Sequence, residues 1–206
     1  MFTGTIEQTG KIISIDDRRG QRRIVVQTRW EDLALGESIS LNGVSLTVAE
    51  VTSQHQAQFL LSEEILERTT LNKLEPEMKV NLERAPTPST RLSGHFVQGS
   101  IDAKGLILNL VESEGAHKLT VALDAKYGRY CVERGSIAIE GVSLTIHSLT
   151  ETKLNEFMIT CAIAPQVWKN TNFSNLKIAD AVNVEVDVLA KYIEKLNPQL
   201  ALTPAN

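Results

Sequence analysis

The chain has 206 residues, with 21 Lys and Arg against 25 Asp and Glu for a formal charge of −4. Its 42% hydrophobic and 22% charged residues exclude a disordered chain, and the acidic balance excludes a general binder of phosphate backbones, so no nucleic-acid partner is expected. No run approaches the ~20 apolar residues of a spanning helix, Met1-Phe2-Thr3-Gly4 lacks the layout of a signal peptide, and a cytoplasmic protein without a membrane partner is expected.

In chain order, strands are expected at residues 12–15 and 24–28 around the turn-rich segment 16–21, a hairpin signal. Arg18, Arg19, Arg22 and Arg23 surround Gly20 beside Asp16 and Asp17 and read as a solvated hairpin tip. Strands follow at 38–41, 45–51, 58–61 and 79–83. Between the last two lies a brief helix over 62–66, with Ser62 as its cap and Glu63 and Glu64 in its first turn. Strands at 106–111 and 119–123, around 112–117, repeat the hairpin, and Pro165 starts a second helical turn, where a missing N–H costs little. Val188, Leu189, Tyr192, Ile193 and Leu196 then recur at helical spacing, and Pro198 stops the helix. That apolar stripe needs cover, either from its own chain or from other copies of it.

Internal similarity decides the domain count. Residues 38–47 and 136–145 share seven of ten positions at an offset of 98. Gly4-Thr5-Ile6-Glu7 and Gly10 pair with Gly99-Ser100-Ile101-Asp102 and Gly105 at an offset of 95, and Val80-Asn81-Leu82-Glu83 pairs with Val182-Asn183-Val184-Glu185 at 102. Two homologous units with small insertions follow, each with its own core, too long to be solenoid repeats. About six short strands per unit point to a small closed barrel, where closure removes exposed edges. The expected division is residues 1–96, 97–186 and a helical tail at 187–206.

Phosphate loops, HExxH, CxxC and nucleophile elbows are missing from the sequence. Cys131 and Cys161 are too few for a disulfide framework, and neither they nor His55, His95, His117 and His147 show metal-ligand spacing. His55 and His117 lie in polar turn contexts and read as exposed; His147 has no counterpart in the first unit. The duplicated Gly-Val-Ser-Leu-Thr strand is the best candidate for chemistry. Strand alternation puts Ser45 and Thr47 on one side and Val44, Leu46 and Val48 on the other, and likewise separates Ser143 and Thr145 from Leu144. A hydroxyl pair that simply faces water is the alternative, but water demands no particular side chain, and both copies keep the pair. Two equivalent polar pockets imply two similar ligands.

The opening Met-Phe-Thr-Gly, Asn42-Gly43-Val44-Ser45-Leu46-Thr47 and Arg68-Thr69-Thr70-Leu71 resemble the riboflavin synthase family, of the alpha type. So do Val80-Asn81-Leu82-Glu83-Arg84, Gly94-His95-Phe96-Val97-Gln98-Gly99 and Glu185-Val186-Asp187, so the resemblance runs from residue 1 to about 197. It implies an all-β fold of two tandem six-stranded Greek-key barrels with a C-terminal α-helix that joins three copies into a homotrimer. The implied reaction is a dismutation of two 6,7-dimethyl-8-ribityllumazine molecules to riboflavin and a ribitylamino-pyrimidinedione. No cofactor or metal is required, because the substrate's C7 methyl is itself acidic. In the family the active site joins the first barrel of one subunit to the second barrel of a neighbour.

Carried over by position, the first-barrel pocket takes Gly4, Thr5 and Ile6, then Ser45, Leu46 and Thr47. Leu60, Leu61, Ser62, Glu63, Glu64 and Ile65 follow, with Gly99, Ser100 and Ile101. The second takes Arg134, then Ser143, Leu144 and Thr145, then Ile163, Ala164, Pro165, Gln166, Val167 and Trp168. The resemblance gives Thr47 and Thr145 the pteridine edge and leaves Glu64 or nearby backbone for the ribityl hydroxyls, while Gln166 replaces the usual Glu or His. The catalytic set it implies is Ser45, Thr47, His95 and Ser100. Two departures stand out: the family's reactive cysteine falls on Ser45, and its Gly-His falls on Gly99-Ser100. A serine hydroxyl is not ionised or nucleophilic without an adjacent base, and losing histidine removes the side chain best suited to proton transfer near neutral pH. These departures resemble the lumazine proteins, which bind a lumazine or flavin without turning it over.

Overall fold

The computed structural model describes residues 1–18, 21–52, 55–113, 115–151 and 156–197. Arg19 and Gly20 of the expected hairpin tip and the helix-stopping Pro198 lie outside the described residues. Two closed antiparallel barrels follow one another in the chain. The first is built from β1 (Gln8–Arg18), β2 (Gln21–Gln27), β3 (Ser38–Leu41), β4 (Val44–Thr52), β5 (Gln56–Ser62) and β6 (Lys79–Arg84), paired in the ring order β1-β2-β5-β4-β3-β6. The second repeats that order with β7 (Ala103–Ser113), β8 (Ala116–Asp124), β9 (Ser136–Ile139), β10 (Val142–Glu151), β11 (Glu156–Ile163) and β12 (Ala181–Val186). Each expected strand is present, mostly extended by a few residues, because ladder hydrogen bonds continue past the apolar alternation that marks a strand in sequence.

Closure needs curvature, and both copies bend at the same places. Register shifts by one residue between Ile12 and Ser14 and between Val48 and Glu50, and again between Ile107 and Asn109 and between Ile146 and Ser148. A bulge bends its strand and raises the local twist. His147 is the extra residue of the last bulge, which explains an exposed histidine on a strand otherwise built around core residues. Apolar side chains of alternate strand positions fill each interior, from Ile12, Ile24 and Phe59 in one barrel to Leu119, Val121 and Ile159 in the other.

The helical turns follow local chemistry. Ser62 caps α1 (Glu63–Arg68) by accepting from the Ile65 N–H, as its position before two acids leads one to expect. Its counterpart α2 (Pro165–Asn170) has Ala164 at the cap and no side-chain cap, and begins with Pro165 at its first position. The tail forms α3 (Val188–Leu196), capped by Asp187. The basic tip is less solvated than its composition implies. Arg22 is ion-paired with Asp17 at 2.8 Å and donates to the Leu71 and Asn72 carbonyls, so it ties the hairpin to the turn after α1.

The barrels meet along a pseudo-twofold junction. Gly43 and Gly141 stand backbone to backbone: a Cβ on Gly141 would lie 2.6 Å from the Gly43 nitrogen. Around them runs a buried polar network. Asn81 Oδ1 accepts from the Asn172 N–H and Asn183 Oδ1 from the Thr70 N–H, equivalent bonds in the two halves. One position breaks the symmetry, since Glu140 stands where the first copy has Asn42. Its carboxylate accepts from the Asn183 N–H at 2.7 Å and from Asn172 Nδ2 at 2.8 Å, yet burial pushes its pKa up to about 7. An acid whose folded pKa exceeds its unfolded value of 4.5 leaves stability untouched below that value and subtracts from it as pH rises through the folded one. Between pH 5 and pH 8 the penalty grows to about 3 kcal/mol. The wild-type stability should therefore fall over that window relative to Glu140→Gln, measured by urea unfolding at both pH values. Parallel pH profiles for the two proteins would overturn this.

Candidate functional site

The duplicated Ser-Leu-Thr strands are arranged as alternation requires. Ser45 and Thr47 on β4 are exposed, while Val44, Leu46 and Val48 are buried in the first core. On β10 Thr145 is exposed and Ser143 half-buried, with Leu144 in the second core. Leu46, Leu61, Leu144 and Ile163 point their side chains into the barrel interiors, so these expected ligand contacts have only backbone to offer.

Over each serine lies a short strap of chain, and here the structure corrects the sequence reading. Gly4, Thr5 and Ile6 line a cavity with Ser143 of the second barrel rather than with Ser45. The Gly4 carbonyl accepts from the Ser143 N–H at 2.8 Å, and Ile6 packs on the second core. The equivalent strap serves the first barrel: the Gly99 carbonyl accepts from the Ser45 N–H at 2.9 Å, and Ile101 packs on the first core. The straps pair with each other through a Phe2–Val97 bridge, so each leaves that bridge toward one serine. Both glycines have positive φ, 76° and 83°, and a Cβ on either would come within 2.6 Å of the serine Cβ. Only glycine allows this approach. Each strap is anchored by a buried acid. Glu83 accepts from the Thr3 N–H, the Thr3 hydroxyl and the Gly4 N–H, and Glu185 from the N–H groups of Gln98, Gly99 and Ser100. Burial raises the pKa of both carboxyls, against the pull of those donors. Composition hid their role, but their equivalence at an offset of 102 was visible.

His95 also belongs elsewhere than expected. Its Nδ1 lies 2.7 Å from the Ser143 hydroxyl, which places it in the second-barrel site and apart from Ser45, Thr47 and Ser100. Burial lowers its pKa, with the Asp187 charge opposing, and its Nε2 is buried without a hydrogen-bond partner among the described residues. A neutral imidazole against a hydroxyl is the pairing that makes serine a proton relay. At the first strap the Gly99 carbonyl meets Ser45, and Thr47 and Ser100, close by in the chain, also carry hydroxyls and are exposed.

The second site opens into a cavity of about 280 Å³ lined by Gly4, Thr5, Ile6, Ser93, Gly94, Val142, Ser143, Gln166, Val167, Asn170 and Thr171. Gln166 and Val167 therefore line the same cavity as Ser143. Trp168 instead stacks on His117, with ring centroids 3.7 Å apart and planes 6° from parallel, so His117 is half-buried rather than free in solvent. Arg134 is exposed at a φ of 65° in the turn before β9. Glu63 and Glu64 are exposed on α1, and Glu64 pairs with Arg68 at 3.3 Å. No cluster of His, Cys, Asp and Glu fit to hold a metal occurs among the described residues. Cys131 and Cys161 are free and buried, their pKa values pushed up to about 12, so neither supplies a thiolate.

Fold and site together define a duplicated barrel protein with a strap-roofed serine strand in each barrel and a cavity beside the second of them. The lumazine binding domain matches residues 3–85 and 98–187. The chain is 38% identical over 199 residues to riboflavin synthase of Photobacterium phosphoreum, covering 95% of this chain and 88% of that one. It is 36% identical over 198 residues to riboflavin synthase of Mycobacterium bovis, at 95% and 98% coverage. In structure it is similar to LumP complexed with 6,7-dimethyl-8-(1'-D-ribityl)lumazine, with a TM-score of 0.77, 26% identity and coverage of 90% and 99%. LumP complexed with riboflavin gives a TM-score of 0.78 at 25% identity, with the same coverage. The chain belongs to the riboflavin synthase family of lumazine-binding proteins.

Proposed function

We propose that this protein is a cytoplasmic riboflavin synthase that converts two 6,7-dimethyl-8-ribityllumazine molecules into riboflavin and 5-amino-6-ribitylamino-pyrimidinedione. One lumazine gives up a four-carbon unit and the other gains it, so atoms balance without water or an external oxidant. The observation that carries this reading is the duplicated strap-roofed serine strand in one chain, one copy of which holds the His95–Ser143 pair at 2.7 Å. Thr47 and Thr145 orient the two pteridine rings, and proton transfer at the C7 methyl falls to the second barrel, where the imidazole stands. Positioning two substrates accounts for much of the acceleration in such a reaction. The test is to mix the protein with the lumazine and follow riboflavin absorbance. Formation of riboflavin at a steady rate is expected.

One observation favours a second reading, a lumazine or flavin carrier. Among the described residues Ser45 lacks the imidazole partner that His95 gives Ser143, and the LumP structures are named for a bound lumazine or riboflavin. Tight binding with riboflavin formation at background would select the carrier.

A homotrimer is part of the proposal. On α3 only Val188 is buried; Leu189, Tyr192, Ile193 and Leu196 are 54–81% exposed. The polar side of the helix is already tied down, by Lys191 to Asp102 at 2.6 Å and Arg129 to Glu194 at 2.9 Å. The open apolar side adjoins a groove of about 410 Å³ lined partly by Val132, Leu189 and Ile193. Covering four such side chains contributes several kcal/mol before association costs, at ~1.5–3 kcal/mol each when fully buried. Deleting residues 187–206 should reduce the mass in light scattering from trimer to monomer, and an unchanged mass would refute the assembly.

A further inference from the structure

Each serine is held by a relay that begins in the other barrel. On β12 of the second barrel, Glu185 is 2% exposed and accepts from the Gly99 and Ser100 N–H groups, each at 2.9 Å. The carbonyl of that same Gly99 takes the N–H of Ser45, on β4 of the first barrel. On β6 of the first barrel, Glu83 is 3% exposed and accepts from the Gly4 N–H at 3.0 Å. The Gly4 carbonyl takes the N–H of Ser143, on β10 of the second barrel. A charged acceptor makes the stronger kind of hydrogen bond, and a glycine at positive φ leaves no room between strap and strand for an alternative register. Satisfying strap N–H groups requires only some acceptor; two full carboxylates, buried at a cost and placed equivalently in both copies, exceed that requirement.

We propose that Glu185 and Glu83 are positioning residues that act across the barrel junction, each setting the geometry of the ligand site in the barrel to which it does not belong. The inference rests on the reading of the serine pockets as lumazine and flavin sites. It makes the two sites mutually dependent: damage to the last strand of one barrel is felt at the ligand of the other.

Riboflavin titration tests this in backgrounds that leave one site open. Thr145→Trp fills the exposed second-barrel position, and Thr47→Trp fills the first. In the Thr145→Trp background, Glu185→Gln should weaken riboflavin binding at least tenfold, about 1.4 kcal/mol. In the Thr47→Trp background the same change should leave affinity within about threefold, and Glu83→Gln should show the reverse pattern. Equal weakening in both backgrounds, or weakening only in the barrel that carries the altered acid, would overturn the proposal. Amide hydrogen exchange separates this failure from that of the functional reading. In Glu185→Gln the amides of Gly99 and Ser45 should lose protection while those of Gly4 and Ser143 keep it. That pattern without riboflavin binding in any protein supports the cross-barrel clamp and overturns the flavin-site reading. Unchanged exchange at Gly99 and Ser45 overturns the clamp itself.

Discussion

Asparagine in place of His95 is expected to lower riboflavin formation about a hundredfold or more, the lower end of what positioned acid–base groups contribute. The imidazole lies 2.7 Å from the Ser143 hydroxyl through Nδ1, and an asparagine amide retains a polar contact there without any group that titrates. Ligand binding should change far less than turnover, since the ring contact proposed for Thr145 does not involve His95. The pH profile carries a second signature. Burial lowers the His95 pKa, so the imidazole stays neutral through the neutral range and gains its proton only at more acidic pH. Wild-type turnover should fall on that acidic side as the base is protonated, and the variant should lack the corresponding limb. Turnover within about threefold of wild type, or an unchanged acidic limb, would remove His95 from the chemistry and leave catalysis to positioning alone.

Alanine at Gly141 is expected to cost roughly 2–5 kcal/mol of stability, the sum of a strained left-handed backbone and an overpacked contact. The φ there is 78°, and the new Cβ would meet the Gly43 nitrogen at 2.6 Å and its Cα at 2.9 Å. Both are backbone atoms and cannot rotate away. Gly36 provides the comparison: its φ is 82°, and a Cβ added there would meet nothing within 4 Å. Gly36→Ala should therefore cost only the backbone share, about 1–2 kcal/mol. Urea unfolding of the two variants side by side measures the difference. If they lose the same stability, the glycine contact at the junction is soft, and the barrels do not depend on that approach.

Much of the fold is legible in the chain. Two copies of one pattern, each with Ser-Ile at the start of a short strand and Gly-Val-Ser-Leu-Thr after it, specify two like domains. Alternation along those strands predicts which side of β4 and β10 holds hydroxyls and which holds core, and both predictions hold. The α1 cap at Ser62 and the proline start of α2 were equally readable, because capping depends on residues within one turn.

The site was legible only in part. The residue types and the serine strands stand in the sequence, as does the missing cysteine and histidine of the first pocket. The partners do not: Gly4 meets Ser143, His95 meets Ser143, and Arg22 reaches the carbonyls after α1. Carried over by position, the Gly4 segment was given to the first barrel, which it precedes in the chain. Its destination is decided by the strap pairing at Phe2 and Val97 and by the Glu83 carboxylate on β6. Likewise nothing local marks Glu140 as buried, or His117 as stacked on Trp168. The sequence by itself determined the repeated barrels, their inward and outward faces and the capped turns, since period-two alternation and capping act between near neighbours. Tertiary structure alone decided which strap roofs which serine, which hydroxyl His95 meets and which acid is desolvated, since each depends on groups brought together across the barrel junction.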